Sequence, residues 1–192
     1  KMIENSNAET MKTMAKIIST SDSETSALVL ESVMSQPEMP ETTTNDNVQT
    51  GNKALELLDN LNNIDSSAIS NLYSENTSLV EGVISNALSA ATTNDAAAVS
   101  NLIASSNNEQ MSATMFKNVS NSDDQNLMSN VFKNVADKAP EKIINIAATN
   151  QSLYENMAKD VSAGSGSMTA ATLLTNITTQ NNNTPITTTD DM

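Results

Sequence analysis

Adjacent carboxylates at Asp123 and Asp124, in the run SNSDDQN, are the residues best spaced to hold Ca²⁺ or Mg²⁺, which take oxygen ligands. The same pair suits the first turn of a helix, where carboxylates meet the positive end of the dipole. The D-x-D-x-D-G spacing of a dedicated calcium loop is missing. Glu24, Glu31, Glu75 and Glu81 offer carboxylates for an acid and base pair of the glycosidase kind. Their positions fall on polar helix faces without aromatic residues to hold a sugar, which favours solvated surface. Ser and Thr are abundant, yet a hydroxyl nucleophile needs an activating base. His is absent, leaving Lys alone for that work. Gly164-Ser165-Gly166-Ser167 reads as a flexible joint, because a nucleophile elbow needs G-x-S-x-G between strand and helix. The residue types therefore predict no catalytic residue and no cofactor, with Asp123 and Asp124 the sole candidate metal ligands.

The composition excludes more. The chain has 192 residues, of which about 74 are Asn, Ser or Thr. It contains no His, Cys, Trp or Arg. A thiolate zinc site, a redox disulfide and an arginine phosphate clamp are thereby ruled out. The net charge is -14, from 9 Lys and 23 Asp plus Glu. Nucleic-acid binding, which needs phosphates neutralised by cations, is not expected. No apolar run approaches the ~20 residues of a membrane span, and residues 1–20 lack the apolar core of a signal peptide. The start at Lys1 predicts a processed product or a piece of something longer. Five N-x-S/T sequons, at Asn76, Asn118, Asn150, Asn176 and Asn182, match what chance supplies in so Asn-rich a chain and predict no glycosylation.

These residues must be positioned by helices. Gly and Pro number four each, and strand alternation is absent. Short amphipathic segments recur behind polar caps. Met11, Met14, Ile17 and Ile18 share a face behind a Ser6/Glu9 capping box. Ala27, Leu28, Leu30, Val33 and Met34 follow a second box, Ser21/Glu24, and Pro37 stops that helix. Residues 36–50, QPEMPETTTNDNVQT, read as a polar linker. Beyond it run the stripes Leu55/Leu58/Leu61, Ile69/Leu72/Tyr73 after Asp65, and Val80/Val83/Ile84/Leu88 after Asn76. Then come Val99/Leu102/Ile103 after Asn94, Met111/Met115/Phe116/Val119 after Asn107, and Leu127/Val131/Phe132/Val135 behind a Ser122/Gln125 box. Ile143 and Ile144 follow Pro140, and Leu153, Met157 and Val161 follow Asn150. A last stripe holds Leu173, Leu174 and Ile177. Met115–Val119 and Val131–Val135 match almost literally at an offset of 16.

Helices this short are marginal alone in water, so each must lend its stripe to a neighbour. Caps spaced roughly 15 residues apart make a helix pair of about 30 residues, the size class of helical repeats. The expected fold is all-α: a right-handed superhelical array, or solenoid, of short helices in ~30-residue helix-pair repeats. The expected divisions are an amino-terminal helical pair (1–35), the linker (36–50), a repeat domain (51–162), a Gly/Ser joint with a terminal helix (163–180) and a low-complexity tail (181–192). Met111, Met115, Met128 and Met157 are expected in the core. Met2, Met34 and Met39 flank the irregular amino-terminal part and are the candidate partner-binding residues.

Over residues 51–162 this pattern, with A-P-E-K-I-I-N-I-A at 139–147, resembles the short-helix superhelix of the amino-terminal domain of MgtE magnesium transporters and of the flagellar motor switch protein FliG. Those families carry Pro-Glu at most helix starts and charged exposed faces. Here one start has it and the exposed positions are Asn, Ser and Thr, so no functional residue carries over. The resemblance implies a fold and, as an alternative function, an acidic regulatory domain sensing divalent cations. The residues themselves point first to a non-enzymatic structural or interaction protein, a repeat subunit or scaffold of a larger assembly. Its partners would be proteins or copies of itself, without nucleic acid, membrane insertion or a small-molecule substrate. The acidic, Cys-free, Asn/Ser/Thr-rich composition suits a bacterial periplasmic or surface setting, such as a flagellar or surface-appendage accessory, with the cytoplasm as the alternative.

Overall fold

The computed structural model describes residues 8–34, 52–122 and 124–164. Among them lie ten α-helices and no strand. They are α1 (Ala8–Thr20), α2 (Ser23–Met34), α3 (Lys53–Ile64), α4 (Ser66–Glu75), α5 (Thr77–Ser89), α6 (Ala96–Ser105), α7 (Glu109–Ser120), α8 (Gln125–Lys138), α9 (Pro140–Thr149) and α10 (Gln151–Gly164). A single 3-10 turn, Thr93–Asp95, leads into α6. The all-α expectation holds. The linker, the terminal stripe around Leu173 and the tail lie outside the described residues.

Local chemistry sets the boundaries. Asn52, Asp65, Asn108 and Asp124 each accept a hydrogen bond from a first-turn backbone N–H of the helix they precede. Asn150 does the same for Leu153 N at 3.1 Å. Pro140 opens α9, where its missing N–H costs nothing. Several caps differ from the expected ones. α2 is capped by Asp22, which accepts from Thr25 N at 2.8 Å, rather than by a Ser21/Glu24 box. The carboxylate is the better acceptor and sits one residue closer to the helix. Asp124 likewise displaces Ser122, and Asn108 displaces Asn107. The turn before α6 is held by a Thr92/Asp95 box instead of Asn94. Asn76 stands at the start of α5, but its amide donates to Ser23 Oγ on α2 at 2.9 Å, so it ties two helices together rather than capping one.

Packing follows the stripes. α3 lies against α1 and α6, α6 against α8, and α8 against α10. A second row runs from α2 to α5 to α7, which in turn touches α9 and α10. Between the rows one apolar core extends without a break from Met11 to Val161, so α1 and α2 share it with the rest. Met111, Met115, Met128 and Met157 are buried in it, where their flexible thioethers fill gaps. α4 is an insertion in this order. It packs on α3 and α5 and reaches α2 and α6. Because of it, α3 and α6 are separated by two helices, whereas later neighbours in the same row are separated by one.

The amino-terminal hairpin departs from its expected stripe. Ala15 and Ser26 are buried, while Ile17 is 42% and Leu28 is 61% exposed. Ser26 enters the core because its hydroxyl donates to the Ile18 carbonyl on α1 at 3.0 Å, a pairing that compensates its desolvation.

Candidate functional site

Beside caps and intrahelical bonds, a set of polar side chains links successive helix pairs. Asn62 Oδ1 accepts from Ser105 Oγ. Ser70 Oγ accepts from Asn107 N at 3.2 Å. One pair further on, Asn101 Oδ1 accepts from Lys138 Nζ at 2.6 Å, the Ser106 carbonyl accepts from Lys142 Nζ, and Glu109 Oε1 accepts from Asn145 Nδ2 at 2.9 Å. These last three span 37, 36 and 36 residues. A similar series joins other turns: Thr93 to Asp124, Ser122 Oγ to the Ala91 carbonyl, and Ser120 to Asp160. The high Asn, Ser and Thr content thus has a structural use, as inter-pair hydrogen bonds over short, weakly apolar helices.

The candidate metal ligands resolve differently. Asp123 lies outside the described residues. Asp124 has its oxygens occupied: Oδ1 accepts from Asn126 N at 3.0 Å, and Oδ2 from Thr93 N and Oγ1 at 2.7 and 2.8 Å. Those bonds, foremost the Thr93 backbone N–H, hold its carboxyl below the ordinary carboxylate value. Asp65 is lowered in the same sense, first by the Ser67 hydroxyl, and Asp22 by Thr25. Among the described residues no group of three His, Cys, Asp or Glu is placed to hold a metal ion.

These depressed carboxylates make a pH prediction. A group whose pKa is lower folded than unfolded stabilises the fold above its unfolded value and loses that effect as pH falls through the folded one. Acid therefore removes the Asp22, Asp65 and Asp124 clasps below the ordinary value of 3.8. Asp124→Asn should melt below wild type near pH 6, and the gap should narrow as pH falls below the ordinary value of 3.8 (melting followed by circular dichroism). A gap that stays constant with pH would show that ionisation of Asp124 contributes nothing.

Three of the four glutamates converge. Glu24, Glu31 and Glu75 line a depression of about 390 Å³ with Ser23, Ala27, Leu28 and Asn76, formed by α2 and the α4–α5 junction. A second hollow of about 210 Å³ adjoins it, sharing Ser23 and Glu75 and lined also by Ile18, Ser19, Ser21, Ser26 and Asp65. Glu81 is elsewhere, accepting from the buried Tyr73 hydroxyl at 2.7 Å. Burial is the main cause that pushes the Tyr73 phenol up, and Glu81 adds to it. The glutamate depression holds apolar Leu28 and no Lys, His or aromatic group, so it offers negative charge beside an apolar floor.

Two of the lysines have partners near a hydroxyl or a carboxylate. Lys142 reaches the Ser106 carbonyl rather than its hydroxyl. That hydroxyl donates to the Asn108 carbonyl at 3.0 Å. Lys133 pairs with exposed Asp137 at 3.3 Å. Ser165 and the residues around it lie outside the described residues, as do Met2 and Met39. Met34 ends α2, and its side chain is likewise outside them. At three sequons the side-chain amide is engaged: Asn76 donates to Ser23, Asn118 donates to the Thr114 carbonyl at 2.9 Å, and Asn150 accepts from Leu153 N. The residues that join the helix pairs, such as Asn62, Asn101 and Asn145, were not singled out by sequence. Their signal is only a polar residue near a turn, repeated at about one helix pair, and Asn is too common here for that to stand out.

No helix among the described residues is long and apolar enough to cross a membrane. No family model, curated protein or solved structure matches the chain.

Proposed function

We propose that this chain is a non-enzymatic structural or interaction protein. Its short helices stack as a right-handed superhelical array of helix pairs, and it serves as a subunit or scaffold of a larger assembly in a bacterial periplasmic or surface setting. The observation that carries this reading is the in-register meeting of two consecutive helix pairs: α6–α7 and α8–α9 share three hydrogen bonds at separations of 36 to 37 residues. One pair laid on the next is the contact from which helical-repeat stacks are built, and such stacks offer extended side and end surfaces for partners. Asp124 caps α8 and clasps Thr93, Glu81 accepts from Tyr73, and Glu24, Glu31 and Glu75 line a groove with an apolar floor.

The test is fractionation of the source cells' extract by size with an antibody to the chain. The expected result is a species several times heavier than 20.3 kDa. A chain found only at its own mass would overturn the reading. The cation-sensing alternative makes the opposite prediction for the isolated protein. A sensor gains stability by binding ligand in the folded state, about 2.7 kcal/mol at a hundredfold excess over its dissociation constant. A structural subunit should shift its melting midpoint by under about 1 °C across millimolar Mg²⁺, because bare charge screening is weak at fixed ionic strength.

A further inference from the structure

We infer that a second copy of this chain docks on the α1–α2 hairpin, α1 of each copy lying in the glutamate-rimmed groove of the other about a two-fold axis. The inference names a partner for the assembling role proposed above and rests on that role. Three large hydrophobic side chains are exposed among the described residues, and two of them, Ile17 and Leu28, belong to this one hairpin. A soluble face that leaves such groups in water gains by covering them.

Charge says what covers them. The groove around Leu28 is lined by Glu24 and Glu75 and by no cation. α1 presents Lys12 and Lys16, four residues apart and both exposed, with Ile17 next to Lys16. Neither ammonium is paired among the described residues. An apolar side chain beside a stripe of two cations is thus the counterpart of an apolar floor beside Glu24 and Glu75. Because both halves lie on one hairpin, a two-fold pairing satisfies both at once.

The size of the face bounds the strength. A helix of this length is about 20 Å long, so a hairpin offers roughly 400 Å² from each copy. That total falls short of the ~1,000 Å² of a stable interface, so the dimer should be weak. The net charge of -14 opposes any self-association. At physiological ionic strength that repulsion is screened beyond about 8 Å, while the contact pairs are not.

Sedimentation equilibrium of the full chain at high submillimolar concentration and physiological salt tests this directly, since a small interface associates only when concentrated. Wild type should show an average mass well above 20.3 kDa. Two double variants, Glu24→Lys with Glu75→Lys and Lys12→Glu with Lys16→Glu, should each sediment as monomers. Their equimolar mixture should recover the wild-type mass, since the heterodimer is complementary in both grooves. The first variant lowers the net charge from -14 to -10, as each Glu→Lys change adds two. General repulsion then weakens, so loss of its dimer is the signature of the specific contact. Leu28→Asp, at an exposed site that tolerates substitution, should also be monomeric. A monomeric wild type, variants that associate like wild type, or a mixture that stays monomeric would each overturn the docking. The heavy species in cell extract would be untouched by that failure, which keeps the two proposals separable.

Discussion

Phe116→Ala and Phe132→Ala should each cost about 3–5 kcal/mol, the usual price of emptying a buried phenylalanine site. Both side chains are fully buried, at equivalent places in the near-identical segments of α7 and α8. They are the only phenylalanines in the chain, and both belong to the one continuous core. For a chain of this size 1 kcal/mol moves the melting midpoint by roughly 2–4 °C, so each variant should melt about 10 °C low. The two losses should exceed or fall short of additivity, because α7 and α8 lie against one another. Thermal or urea unfolding of both singles and the double measures this. A loss below about 1 kcal/mol in either single would mean that the shared core between the rows is not formed as described.

Tyr73→Ala should be comparably damaging, at about 3–5 kcal/mol, whereas Tyr73→Phe should cost only about 1 kcal/mol. The ring is buried where α4 meets α5 and α7. Its hydroxyl donates to Glu81 on α5 and lies 3.4 Å from Thr114 Oγ1 on α7. Alanine removes both the packing and the hydrogen bonds, but phenylalanine keeps the ring. Glu81 retains contact with water, so the loss of its donor is softened. The Phe variant also has no phenol to ionise at this site, so it should lose part of the alkaline sensitivity of wild type, the part from half-buried Tyr154 remaining. Burial raises the Tyr73 pKa above 10, so the phenol favours folding until pH climbs past that value. Equal damage from Ala and Phe would place the stability in the hydroxyl instead of the ring.

Much of the architecture was legible in the residues because it depends on local physics. A stripe at helical spacing can be buried only on one side, so Leu55, Leu58 and Leu61, or Val80, Val83 and Ile84, were identifiable as core without coordinates. Pro140, Asp65 and Asn150 could be placed at helix starts for the same reason, since they act on backbone groups a few residues away. Where a cap was misassigned, as at Ser21 and Ser122, a carboxylate one or two residues on competed for the same N–H groups.

What only the tertiary structure decided is what happens between segments far apart in the chain. Nothing local says that Asp124 clasps Thr93, that Asn76 reaches Ser23, or that α4 is inserted between rows. Glu24, Glu31 and Glu75 gather around Leu28 while Glu81 turns to Tyr73, although all four look alike in sequence. Helix formation and capping are short-range, and a one-dimensional pattern records them. The pairing of polar groups across some 31 to 53 residues depends on how the helices stack, which side-chain spacing within any one helix does not encode.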